Sequence, residues 1–161
     1  MKIITLLFLL LSFNAFSQGK YAGNFKTLLG KKYIVEKDIE ALKNYQYRGG
    51  NVIGDINEMG PYYSIFEIFT THNAAVIIKS KLINTQTKQY SIIEVLHLTK
   101  LPKGFEVRTT GCDTNDPNPD EPIVAVVMPN GTTVYKAFKL KDIRFEEISK
   151  KMVLCVNEGE D

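Results

Sequence analysis

Glu67, Glu94 and His97 are the side chains in this sequence best suited to moving a proton. Both carboxylates stand inside apolar runs, Glu67 within Tyr62–Thr71 and Glu94 within Gln89–Thr99. A carboxyl group held partly out of water keeps its proton to higher pH and can serve as an acid or base. Beside His97 it would suit a hydrolase or isomerase. The same residues have a plainer reading. Each glutamate can face solvent or pair with Lys79 or Lys81 across a sheet, and His97, between Leu96 and Leu98, can be a hydrogen-bonded interior histidine. No GxSxG stretch supports a nucleophilic serine, and Ser64, Ser80 and Ser91 fall within strand-like runs.

Other chemistries find weaker support. Zinc needs several His, Cys or carboxylate ligands, and the chain has two histidines, His72 and His97. The segment Asp113-Thr-Asn-Asp116-Pro-Asn-Pro-Asp120-Glu121 is rich in oxygen ligands. It does not fit the calcium loop pattern: Pro117 takes a ligand position and Asn118 replaces the required glycine. The expectation is therefore no metal and no cofactor, with Asp113, Asp116, Asp120 and Glu121 kept as candidate contact residues on a stiff, solvated turn. Gly49-Gly50-Asn51-Val52-Ile53-Gly54 lacks both phosphate-loop spacings. Tyr45, Tyr47, Tyr62 and Tyr63 carry polar tips on apolar rings, and together they make the best candidate contact patch.

Cys112 and Cys155 are the two cysteines. In an exported protein such a pair predicts one disulfide, and no CxxC motif points to redox or metal chemistry. Export is predicted from the first residues. Lys2 is followed by the apolar run Ile3–Phe13, and Ala15-Phe16-Ser17 places small residues before a cut near Ser17. That run is too short to span the ~30 Å hydrocarbon layer. The predicted location is secreted or periplasmic, without stable membrane insertion. Without Lys2, 19 basic residues face 18 acidic ones, a balance that gives no steering field for nucleic acid.

The elements that must hold these residues are mostly strands. From Tyr62 to Cys112, branched and aromatic residues fill four runs: Tyr62–Thr71, Ala74–Ile83, Gln89–Thr99 and Phe105–Gly111. They read as consecutive antiparallel strands. Ile123–Met128 and Thr132–Leu140 flank the hairpin signal Asn130-Gly131, and Arg144–Ser149 with Met152–Val156 predict a last pair. Ahead of them, Asn24–Gly30 predicts one helical turn. The spacing of Val35, Ile39, Leu42 and Tyr45 predicts a short amphipathic helix over Glu36–Gln46, followed by a loop over Asn51–Pro61 with room for a short strand at Val52-Ile53.

The predicted fold is α+β: after a signal peptide over 1–17, a single domain over 18–161. It has a curved, mostly antiparallel sheet of six to eight strands, half-barrel or barrel-like, with one or two short N-terminal helices packed on it. The predicted role is a small exported binding module without catalytic activity, an inhibitor or immunity-type protein or a ligand-holding half-barrel. Its target, a protein or a small molecule, would be held by the sheet face or by loops 48–61 and 111–122. A structural role in an envelope assembly would show as a long uncovered strand edge.

Overall fold

The computed structural model describes residues 24–53, 63–115, 121–141 and 143–156. The predicted signal segment over 1–17, Tyr62, Asp116, Asp120 and the acidic C-terminus fall outside these residues. Eleven strands are formed among the described residues: β1 Lys32–Tyr33, β2 Gln46–Ile53, β3 Ser64–Thr70, β4 Ala75–Asn84, β5 Gln89–Leu98, β6 Glu106–Arg108, β7 Cys112–Thr114, β8 Ile123–Val127, β9 Val134–Lys141, β10 Arg144–Ile148 and β11 Val153–Cys155. Every pairing is antiparallel. Among the described residues the helical content is four short 3-10 turns, and no helix there is long and apolar enough to cross a membrane.

The strands divide among three open sheets. One has the order β1-β5-β4-β3-β2, the second β10-β9-β8-β6, and β11 pairs with β7 as a ribbon. The expected single curved sheet of six to eight strands is thus not what forms, and among the described residues no sheet closes into a barrel. The reason lies in strands apolar on both faces. Val76, Ile77 and Ile78 are all fully buried in β4, so each side of the five-stranded sheet needs its own cover. Phe66, Ile68, Ile77 and Leu96 pack against Val124, Val126, Phe138 and Phe145, which joins the first two sheets face to face. On the outer face, Phe69, Val76, Ile78 and Val95 receive Leu28, Ile39 and Leu42 from the N-terminal segment. The far face of the second sheet, with Ala125, Val127 and Ala137, is covered by Val153 and Cys155 of the ribbon.

Turn chemistry sets the meander. Thr71 N–H donates to Ala74 O across the β3–β4 turn, and Asn84 Oδ1 accepts the amides of Gln86 and Thr87 after β4. At Asn130-Gly131 the hairpin closes with Gly131 at φ +74°. The expected order then fails at the fourth run. Glu106–Arg108 does not extend the first sheet but pairs with β8. The predicted last pair also separates: β10 pairs with β9, and β11 with β7.

The amphipathic helix over Glu36–Gln46 is replaced by two 3-10 turns, Glu36–Asp38 and Glu40–Leu42, and Gln46 opens β2. Ile39, at ψ 79°, breaks the path between them. Asp38 Oδ2 accepts the amides of Ile34 and Val35, a local bond that competes with helix propagation. Ile39 and Leu42 are buried as their spacing requires, whereas Val35 is exposed. The short strand allowed at Val52-Ile53 is the end of a longer one, β2, which begins at Gln46, so the loop begins after Ile53 rather than at Asn51.

Candidate functional site

Strand alternation decides which candidate residues can meet. In β3, Glu67 and Phe69 point to the N-terminal layer while Phe66 and Ile68 point between the sheets. His97 lies opposite Val76 on the N-terminal side. Glu94 lies opposite Lys79, on the face of Ile77 and Leu96. The structure therefore places Glu67 and His97 on one face and Glu94 on the other, so the three do not converge on one cavity. Glu94 has the expected cross-strand lysine. Glu67 does not: its partners in the ladder are Ile78 and Gly50. This corrects the expected pairing, because Lys79 and Lys81 alternate to the opposite face.

Glu67 is 5% exposed and accepts a hydrogen bond from the Tyr33 hydroxyl. Gly30 N–H to Ile92 O and Ile92 N–H to Lys31 O extend the β1–β5 pairing that delivers Tyr33. Burial lifts the Glu67 carboxyl above the ordinary range; the Tyr33 bond opposes this and the Glu36 carboxylate adds to it. Burial and the nearby Glu67 also drive Tyr33 upward. Tyr90, stacked on Tyr33 with ring centroids 5.6 Å apart, is pushed up to about 12, first by burial and then by its bond to Tyr63.

A stability test follows. A carboxyl group whose pKa is higher folded than unfolded binds more protons in the folded state. Its stabilising contribution is greatest at low pH and is lost as pH rises from the ordinary glutamate range to the raised value. Glu67→Gln keeps an acceptor for Tyr33 and removes the titration. Tyr33, Tyr47, Tyr90 and Glu36, the groups acting on or through this carboxylate, remain in both proteins. Thermal unfolding from about pH 4 to about pH 8 should show the variant's Tm falling less with rising pH and standing above wild type at pH 7. Asp38, held below the ordinary range by the Ile34 and Val35 amides, has the opposite slope but cancels in the comparison. Parallel profiles would contradict the assignment.

The tyrosines separate. Tyr45 is half-buried against Phe25, and its hydroxyl lies 3.5 Å from His97 Nε2. Tyr47 is 41% exposed and packs on Phe69. Tyr63 bonds Tyr90 at 3.2 Å. Tyr33 and Tyr90 were not among the sequence candidates, although the spacing of Tyr90 and Ile92 puts both on one face. Of the acidic segment, Asp113 accepts the neighbouring Thr114 amide, and Glu121 pairs at 3.1 Å with the buried Lys139. Among the described residues, no three His, Cys, Asp or Glu side chains are grouped to hold a metal ion. The two cysteines form the Cys112–Cys155 disulfide, directly paired across β7 and β11.

A second feature escaped the sequence. The mouth of the sandwich, between the edge strands β2 and β6, holds two adjoining depressions of about 440 and 400 Å³. Both are open to solvent, and both are lined by Arg48, Ile68, Glu106 and Val107. Arg48 is the extra residue of a bulge, because Tyr47 pairs with Phe69 and Gly49 with Ile68. Its Nε donates to Thr70 Oγ1 at 2.8 Å. Across the gap, Arg108 pairs with Glu106 and donates to Val156 O, and Asn51 bonds the Thr109 hydroxyl. Neither Glu67, Glu94 nor His97 lines this groove. Comparisons with protein-family models, with curated proteins and with solved structures return no match.

Proposed function

We propose that the chain is a small exported, non-catalytic binding module that holds an extended segment of a partner protein in the groove between β2 and β6. One observation carries this reading: among the described residues both walls are strands paired on one side only, and one of them is eight residues long and largely exposed. A strand edge offers main-chain donors and acceptors to an incoming chain, and flanking side chains then select its sequence. The polar lining, with Arg48, Asn51, Thr110 and Arg108, suits a backbone better than a hydrocarbon ligand. Export rests on the N-terminal pattern, and the disulfide is compatible with an extracytoplasmic location.

The protein and its Arg48→Glu variant, immobilised in parallel, would be used to capture partners from envelope extract. The expected result is one stoichiometric protein retained by the wild type and lost from the variant. Binding should also slow hydrogen exchange over residues 46–53 and 106–108. A small molecule co-purifying without any protein, or a partner retained equally by both baits with β2 and β6 unprotected, would overturn the reading.

A further inference from the structure

Glu67 lies on the opposite face of the five-stranded sheet from the groove, and nothing proposed above uses it. Among the described residues, no lysine or arginine pairs with this buried carboxylate. A carboxylate removed from water is costly unless a counter-charge or several donors meet it; here Tyr33 supplies one hydrogen bond. The other groups in its field are the phenols of Tyr33, Tyr47 and Tyr90 and the half-buried Glu36 carboxylate. Each is neutral or negative. Ser80, fully buried on the same face, has its hydroxyl beside the Tyr33 phenol, short of a well-formed hydrogen bond.

The side toward β2 is thinly closed. Gly50 stands opposite Glu67 in the ladder. A Cβ at position 50 would lie 3.1 Å from Glu67 Cγ, 3.4 Å from Tyr47 Oη and 2.5 Å from Phe66 O, so only glycine fits there. No side chain from position 50 covers Glu67, and the half-exposed Tyr47 ring is what flanks it. Tyrosine faces attract cations through their quadrupoles, most strongly where water is excluded.

We propose that Glu67, walled by Tyr33, Tyr47 and Tyr90, is a binding site for an organic cation, an alkylammonium or guanidinium group, reached by turning Tyr47 aside. The cation supplies the missing counter-charge, the rings face its methylene or methyl groups, and Ser80 offers an additional acceptor. Such a group comes either from a free amine or from a Lys or Arg side chain.

The chain has eight tyrosines and no tryptophan, so its intrinsic emission reports on tyrosine alone. At constant ionic strength the protein is titrated with tetramethylammonium, n-butylammonium, the capped peptide Ac-Gly-Lys-Gly-NH2 and, as neutral control, n-butanol. The expected result is saturable change with the cations and none with n-butanol. Affinity should fall about tenfold in Glu67→Gln and about threefold in Tyr47→Ala, each variant first shown by circular dichroism to be folded. A peptide affinity about tenfold above that of n-butylammonium assigns the cation to a protein side chain; equal or weaker peptide binding assigns it to a free amine. Absence of saturation with every cation, saturation unchanged in both variants, or an equal response to n-butanol would overturn the site.

Discussion

Replacing Cys112 and Cys155 together by alanine should lower the unfolding free energy by about 4 kcal/mol, the loop-entropy value for a link of this span. The cysteines are 43 residues apart in sequence and face each other in the β7–β11 register. Much of the second sheet lies inside the closed loop, so the link restricts an unfolded segment that includes β8, β9 and β10. The folded state also depends on it. The ribbon has three register pairs, and a two-stranded ribbon is marginal by itself in water. What keeps it in place is the disulfide and the burial of Val153 and Cys155 against Ala125, Val127 and Ala137. Urea unfolding of the double variant and of the reduced wild type should give similarly lowered midpoints. An unchanged midpoint in both would show that the ribbon is held by packing alone.

The disulfide was legible because two cysteines leave one possible pairing. The β3–β4–β5 meander was legible too: branched and aromatic residues fill each run, and Asn73 and Asn84 mark turns that local bonds then close, as Asn130-Gly131 does between β8 and β9. What could not be read was partnership across distance. Nothing in Glu106–Arg108 says that it pairs with Ile123–Val127 rather than with the strand before it. The spacing of Ile39 and Leu42 fits two 3-10 turns as well as one α-helix, and Asp38 decides between them by binding backbone upstream. Partial burial was one of two readings of Glu67, and its partner was in neither: Tyr33 is 34 residues away and arrives through the short β1 pairing. The groove at Arg48 has no signature, because it exists only where the edges of two sheets come to the same side.

Phe66→Ala should cost about 3–5 kcal/mol, as truncation of a buried phenylalanine does when its surroundings cannot collapse. Phe66 is 2% exposed, and its ring centroid lies 5.7 Å from that of Phe145 on the facing sheet. The cavity would open between two hydrogen-bonded layers, each of which resists moving toward the other. Val52→Ala, on the exposed edge strand, is the control and should change stability by no more than about 0.5 kcal/mol. Chemical denaturation of both variants measures the contrast, and a loss below about 1 kcal/mol at Phe66 would mean that the sheets close over the gap. The consequence reaches the groove, because Ile68, which lines both depressions, is the next residue on the same face of β3. If the interior sets the spacing between β2 and β6, Phe66→Ala will weaken partner capture even where the variant remains folded, whereas Val52→Ala will leave that spacing unchanged.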